Sequence, residues 1–225
     1  MVRQKIRAVI FDLDGTLTNS LESIAYSVNR AIATVGYPPF SSERYKTLVG
    51  EGAEELIKRT LQASGDTSLE HYDYVREVYD DLFEKDCMYQ VKAYDGIKKV
   101  LDSLKKSGIK MAVLSNKPHV RTKEVVEGIF GVNIFDFVQG QVPERKRKPS
   151  PDGVFYICQQ LGVSVNEVMY VGDTSTDMLT GKASGAFTVG VLWGFRDKKE
   201  LVENQADSIV STPEELLLLG GMKID

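Results

Sequence analysis

Cysteine is scarce in this chain: Cys87 and Cys158 stand far apart in 225 residues, with no C-x-x-C spacing and no neighbouring histidine. That excludes a disulfide framework and a thiolate zinc site, and reduced thiols fit a cytoplasmic protein. Long apolar runs are missing as well, so no stretch reaches the length of a membrane span. The first apolar run, from Ala8, is too short for a signal-peptide core and leads straight into acids. An excess of basic charge is also absent. A formal net charge of −4 argues against an extended nucleic-acid or anionic-membrane surface, so neither partner is expected. No repeat and no low-complexity segment interrupts the chain. What remains is ordinary for a globular protein, with 42% hydrophobic and 27% charged residues. The length suits one large domain or a domain carrying an insertion.

One stretch departs from that background. Ala8-Val9-Ile10-Phe11 is an unbroken apolar run, the pattern of a strand buried on both faces of a parallel sheet. It stops at Asp12-Leu13-Asp14-Gly15-Thr16. If the extended geometry persists, Asp12 and Asp14 point to one side and repel. Gly15 permits a sharp turn, which places the acids on the carboxyl rim where open α/β sheets bind ligands.

Apolar residues at helical spacing over 21–35 predict an amphipathic helix, ended by Gly36 and Pro38-Pro39. Further helices are predicted over 42–48, around 53–61 and over about 69–83, and no strand is expected between 19 and 91. The pattern then changes. Helix is expected over 97–104 and strand over 110–114, running into Ser115-Asn116. A helix around 125–129, a short strand near 135–139 and a helix over 154–161 come next. Strands are expected over 168–171, 188–191 and 208–210, the first running into Gly172-Asp173. Thr212-Pro213-Glu214-Glu215 has the form of a capping box that opens a last, leucine-rich helix. This order predicts an α/β fold, one doubly wound parallel sheet built from both ends of the chain and interrupted by a helical insertion. The expected core is 1–18 with 92–225, and the insertion is 19–91.

Three expected strands end on polar residues, at Asp12, at Ser115-Asn116 and at Gly172-Asp173, and in a parallel sheet such ends share one rim. The last continues as Thr174-Ser175-Thr176-Asp177 into a helix whose first amides face the same rim. Four carboxylates, Asp12, Asp14, Asp173 and Asp177, would therefore meet in a partly dry cleft. Proteins tolerate this only when the charges are paired, protonated or bound to metal. One divalent cation and one lysine cancel three charges, and a protonated Asp14 would remove the fourth. All-oxygen ligands suit Mg²⁺ better than zinc.

These residues resemble the haloacid dehalogenase superfamily of phosphatases over nearly the whole chain. Asp12-Leu13-Asp14-Gly15-Thr16 is similar to its first motif, Ser115-Asn116 to its second, Lys148-Pro149 to its third, and Gly172-Asp173 with Asp177 to its fourth. The resemblance implies a Rossmann-like core with a small helical cap, and an aspartyl-phosphate formed on Asp12. It implies that Asp14 protonates the leaving oxygen and then deprotonates water, and that Ser115, Asn116 and Lys148 hold the phosphoryl group. Mg²⁺ would rest on Asp12, the Asp14 backbone carbonyl and Asp173, with Asp177 holding metal-bound water or orienting Lys148. Dehalogenase members lack an acid at the position of Asp14, which favours phosphate chemistry here. Val49-Gly50-Glu51-Gly52-Ala53, the helix reaching Arg59 and Ser115-Asn116-Lys117-Pro118 look like phosphoglycolate phosphatases. A small carboxylated substrate could then meet Arg59 or Lys117.

Other readings stand beside these. Gly50-Glu51-Gly52 lacks the third glycine of a dinucleotide fingerprint and suits a helix-capping turn as well as a substrate loop. Arg145, Lys146 and Arg147 read as a solvated loop, and His71 and His119 as surface histidines. Trp193-Gly194-Phe195 fits either a cleft entrance or a packed corner. Tyr72, Val75 and Tyr79 have the spacing of a helical core. The expected function is hydrolysis of a small phosphorylated metabolite, 2-phosphoglycolate first, by a monomer or weak homodimer. Inorganic pyrophosphate is an alternative substrate. A phosphomutase similar to β-phosphoglucomutase shares all four motifs, but such mutases carry a histidine where this chain has Ile24. A phosphate-binding relative without turnover is the non-enzymatic reading.

Overall fold

All four residues of β1 (Ala8–Phe11) are buried, because a strand covered on both faces has no solvent side to keep polar. The computed structural model describes residues 5–219, and the expected outer bounds of the core at 1 and 225 lie outside the described residues. After β1 come β2 (Thr18–Asn19), α1 (Leu21–Ala33), α2 (Ser42–Tyr45), α3 (Ala53–Ala63), α4 (Tyr72–Asp86) and β3 (Lys92–Ala93). The chain continues through α5 (Ile97–Lys106), β4 (Lys110–Pro118), α6 (His119–Phe130), β5 (Phe137–Gln141) and α7 (Asp152–Leu161). It ends with β6 (Val168–Gly172), α8 (Ser175–Ser184), β7 (Phe187–Val191), α9 (Lys198–Glu203), β8 (Ser208–Val210) and α10 (Glu215–Leu219). Two compact units result: one takes the chain up to Thr18 and resumes at Ala93, and the other is Asn19–Lys92. None of the described helices is long and apolar enough to cross a membrane.

The first unit is built on a six-stranded sheet in the order β5-β4-β1-β6-β7-β8. Its pairings are parallel. From β1 the chain steps outward to β4 and β5, then returns to β6 on the other side of β1. This reversal beside β1 opens a crevice at the carboxyl ends of the strands. Register sets what meets there: Phe11 aligns with Val113 of β4 and with Val171 of β6. The next residues, Asp12, Leu114 and Gly172, therefore start from one level. On one sheet face Ala8, Ile10, Ala112, Leu114, Val168 and Tyr170 alternate at period two. They pack with Val154, Ile157, Cys158 and Leu161, the helical-period stripe of α7. Each large apolar side chain so buried contributes about 1.5–3 kcal/mol.

Several boundaries differ from the sequence reading, each for a local reason. β4 runs on through Ser115 and Asn116 to Pro118, with irregular pairing to β5 after Leu114. These polar residues stay buried because side-chain partners replace apolar packing. α6 starts directly after Pro118, and its first turn, His119-Val120-Arg121-Thr122, hides the start from an apolar-period reading. β5 begins only at Phe137, because Phe135 packs edge-on against Phe11 and Phe130. The final helix opens at Glu215 rather than beside Thr212. Glu215 accepts from the Thr212 hydroxyl and from the Ser211 N–H, which makes a one-way cap instead of a reciprocal box.

The second unit is helical, and its terminal residues belong to the two-residue strands β2 and β3, which pair with each other. α1 buries Leu21, Ile24, Ala25, Val28 and Ile32. α3 buries Leu56, Ile57 and Leu61. α4 buries Val75, Tyr79 and Phe83, and the Tyr79 and Phe83 rings stack at 5.2 Å. Tyr72 is only half-buried. Asn29 ties the loop after α1 down. It accepts from the Phe40 N–H at 2.9 Å and the Tyr45 hydroxyl at 2.7 Å, and donates to the Phe40 carbonyl at 2.8 Å.

Candidate active site

Asp12 is the first residue past β1, and its N–H still donates to the Val171 carbonyl at 2.8 Å. The sheet therefore fixes its backbone. Beyond it the chain bends, and the Leu13 carbonyl accepts from the N–H groups of Leu17 and Thr18 at 3.0 and 2.9 Å. Gly15 makes the turn at φ 91°, and a Cβ there would lie 2.2 Å from the Asp173 carboxylate. Only glycine meets both demands. Because the extended geometry stops at Asp12, the two acids of the first motif pair with different cations, although the Asp14 charge still acts on Asp12. Asp12 Oδ1 meets Lys148 Nζ at 2.7 Å, and Asp14 Oδ1 meets Lys117 Nζ at 2.6 Å.

Lys148 is almost fully buried and bridges two carboxylates, with its Nζ also 2.7 Å from Asp177 Oδ1. Its backbone is held by Asn116, which donates to the Lys148 carbonyl at 3.1 Å and accepts from the Lys148 N–H at 2.9 Å. Asn116 thus positions the lysine loop besides lying on the rim. Ser115 Oγ accepts from the Lys117 N–H at 3.2 Å. Asp177 is saturated: Oδ1 accepts from Lys148 and from the Tyr170 hydroxyl at 3.2 Å. Its Oδ2 accepts from the Thr174 N–H at 3.1 Å and the Thr174 hydroxyl at 2.7 Å. Thr174 and Asp177 form the capping box that opens α8. Asp173 accepts from the Thr16 hydroxyl at 3.1 Å and from the Phe195 N–H at 2.8 Å.

Carboxyl groups of Asp12, Asp173 and Asp177 offer oxygens within 4.8 Å of one another, all in buried residues. Burial first, and the Asp177 charge second, push the Asp12 carboxyl up to about 7 against the pull of Lys148. Asp173 is raised well above the usual range by burial and by Asp177 and Asp12, despite the two donors on it. Burial works against the Lys148 ammonium, but Asp12 and Asp177 outweigh it and hold its pKa well above the ordinary value. This is a hard, all-oxygen site short of positive charge, and the donor set fits a divalent cation such as Mg²⁺. Lys117 changes the charge balance expected from the sequence. Two ammonium groups and one divalent cation match the formal charge of the four carboxylates.

The haloacid dehalogenase-like hydrolase family matches residues 9–191. The chain belongs to this family. It is 30% identical over 221 residues to a phosphoglycolate phosphatase of Vibrio parahaemolyticus, covering 96% of this chain and 97% of the relative. Against the phosphoglycolate phosphatase of Haemophilus influenzae Rd it is 31% identical over 219 residues, covering 95% and 97%. A crystal structure from Lactobacillus delbrueckii subsp. bulgaricus superposes with a TM-score of 0.88 at 29% identity, covering 95% of this chain and 97% of that one. The protein is thus a haloacid dehalogenase-family phosphatase, and its parallel sheet with flanking helices is the fold these neighbours share.

Within this family frame the remaining candidate residues divide. Lys117, expected as a receptor for a substrate carboxylate, instead holds Asp14, and its side chain is almost fully buried. Gly52 precedes α3 at φ 91° and Gly50 lies at φ 121°, so the Gly50-Glu51-Gly52 segment is the turn that leads into that helix. Arg59 pairs with Glu51 from that turn, inside the helical unit. Arg145 departs from the solvated reading: its guanidinium lies over the Tyr156 ring at 3.7 Å. His119 Nδ1 accepts from the Gly140 N–H at 3.1 Å, and His71 lies against Asp66; neither is a bare surface histidine. Trp193 and Phe195 form a corner bound to the site, since Trp193 Nε1 donates to the Thr16 carbonyl at 2.9 Å. A Cβ on Gly194 would come within 2.5 Å of both Asp173 and the Gly15 carbonyl.

Two tyrosines at the site escaped the sequence reading. Burial, then the charges of Asp173 and Asp14, raise the Tyr94 hydroxyl above its ordinary range. Tyr170 lies in an apolar strand, where only its residue type hinted at a polar task.

Proposed function

We propose that the protein is a Mg²⁺-dependent phosphomonoester hydrolase for a small phosphorylated metabolite, 2-phosphoglycolate first, acting through an aspartyl-phosphate on Asp12. The observation that carries this reading is the Asp12 carboxylate, fixed to the sheet by its own N–H and 2.7 Å from a buried ammonium beside two further buried acids. In the first half-reaction an Asp12 oxygen bonds to phosphorus, the P–O bond to the leaving group breaks, and that oxygen takes a proton from Asp14. In the second, water attacks phosphorus and gives a proton to Asp14, and the P–O bond to Asp12 breaks to release phosphate. The Lys117 contact at 2.6 Å fixes the place of the Asp14 carboxyl for both proton transfers. Ser115, Asn116 and Lys148 receive the phosphoryl oxygens and balance their charge, a task of positioning and electrostatics. Asp12, Asp173 and the Asp14 carbonyl would hold Mg²⁺, which supplies charge to the transferring phosphoryl group. Asp177 belongs with Lys148, because its acceptor positions are taken by hydrogen bonds.

The substrate assignment draws on the relatives' names and on the helical unit, which we read as a cap that selects the leaving group. Arg59 is the cap residue we assign to a substrate carboxylate. The test is phosphate release from 2-phosphoglycolate, pyrophosphate, sugar phosphates and nucleoside monophosphates, with Mg²⁺ or EDTA, for the wild type and Asp12→Asn. Preference for phosphoglycolate, lost with EDTA and reduced at least about a thousandfold by the substitution, is the expected result. Turnover of other esters with the same two dependencies keeps the chemistry and removes the substrate. Undiminished release by Asp12→Asn overturns the mechanism.

A further inference from the structure

We propose that the Tyr170 hydroxyl is a positioning group for Lys148, acting through Asp177 to hold the ammonium evenly between Asp177 and Asp12. Tyr170 is fully buried on β6, and its ring belongs to the apolar layer under α7. Packing alone would be served by phenylalanine. A hydroxyl in such a place costs desolvation unless it is hydrogen-bonded, and this one meets Asp177 Oδ1 at 3.2 Å. The same oxygen receives Lys148 Nζ at 2.7 Å, and the other side of that ammonium meets Asp12 Oδ1 at 2.7 Å.

An ionised carboxylate has about four acceptor positions, and here two donors from Thr174 fill Oδ2 while Tyr170 and Lys148 share Oδ1. Remove the hydroxyl, and Oδ1 has only Lys148 to draw on. The ammonium then shifts toward Asp177 and away from Asp12, and the reacting carboxylate loses part of its counter-charge. Burial and the neighbouring carboxylates hold the Tyr170 hydroxyl far above its ordinary pKa, so it remains a donor. Tyr170 also lies against the Lys148 ammonium itself, so its hydroxyl acts on the lysine both through the shared Asp177 oxygen and directly.

This inference rests on the reading of Asp12 as the reacting group and Lys148 as its counter-charge. Its test is Tyr170→Phe, which keeps the ring. The expected result is a kcat lower by roughly 3- to 10-fold, the size of one modest hydrogen bond. KM and Tm should stay near wild-type values, and the pre-steady-state rate of leaving-group release should fall by the same factor as kcat. In an Asp177→Asn background the same change should have a clearly smaller effect, because the path through the shared carboxylate oxygen is already gone. A wild-type release rate in Tyr170→Phe overturns the proposal. So does a rise in KM with kcat unchanged, or an equal fold loss in the Asp177→Asn background. If Asp177→Asn does not fold, the release rate of Tyr170→Phe alone decides. Undiminished turnover by Asp12→Asn would instead refute the reading of the site, whatever Tyr170→Phe does.

Discussion

Asp66 in the helical unit and Asp12 in the sheet unit are both buried acids, and they are pushed in opposite directions. Asp66 accepts from the N–H groups of His71 and Glu70 at 3.0 Å each, with the His71 ring and Ser68 adding further contacts. These donors, the His71 N–H foremost, bring it down to about 2. Asp12 has one ammonium, shares it with Asp177, and rises to about 7. Both side chains are hidden from solvent, but burial is the largest cause of the Asp12 rise, whereas at Asp66 the donors of the local turn outweigh it. An acid satisfied by its own backbone closes a loop before α4. An acid left short of positive charge among other acids is a candidate functional group, and the proposed cation and phosphoryl group would supply what it lacks.

The largest effect expected from that contrast is on Lys148→Met. Removing the ammonium leaves Asp12 and Asp177 buried without their shared partner, at a cost of about 3–5 kcal/mol in urea unfolding without Mg²⁺. Turnover should fall at least about a hundredfold. Unchanged stability would break the comparison. A smaller effect concerns the cation. Without Mg²⁺ the folded protein keeps a proton on Asp12 up to about 7, whereas an ordinary aspartate releases it near 3.8. Between those values the folded state binds more protons than the unfolded state, so this group's contribution to stability falls as pH rises. On the proposed reading Mg²⁺ would take the place of those protons, and its Tm increment should be larger at about pH 8 than at about pH 5. An increment independent of pH would place the cation elsewhere. The smallest effect is on Asp66→Asn. A lowered carboxylate stabilises fully above 3.8 and loses its contribution as pH falls toward 2. The variant should therefore melt a few degrees below wild type at neutral pH, with the gap narrowing in acid.

Much of this was legible because apolar runs and polar endings carry different information. Val9-Ile10-Phe11 and Val168-Met169-Tyr170-Val171 announce buried strands by composition. Asp12, Ser115-Asn116 and Asp173 announce the rim by interrupting or following such runs. Lys148 and Asp177 followed from motif order. What could not be read were contacts between residues distant in sequence. Nothing local in Lys117 tells that it reaches Asp14, 103 positions away. Asn116 reads as a polar strand end, and its double hold on the Lys148 backbone is known only once β4 and the lysine loop lie side by side. Tyr170 was hidden because an aromatic in a buried strand satisfies the hydrophobic pattern whether or not its hydroxyl has a partner. The start of α6 at His119 was missed for the opposite reason, because its polar first turn satisfies no apolar pattern.

The central place of β1 in the sheet has a consequence for how the protein is made. Its two neighbours in the sheet are β4 and β6, and neither exists when Ala8–Phe11 leaves the ribosome. The intervening helical unit can close its own nearby contacts during synthesis, while the strand that leads into Asp12 waits for β6. Such long-range pairing is slow to form and exposes apolar surface in the interval. Catalytic competence should therefore appear abruptly with chain length, only after Asp177 has emerged. A nascent chain ending at Leu161 would hold every helix of the inserted unit and no active site.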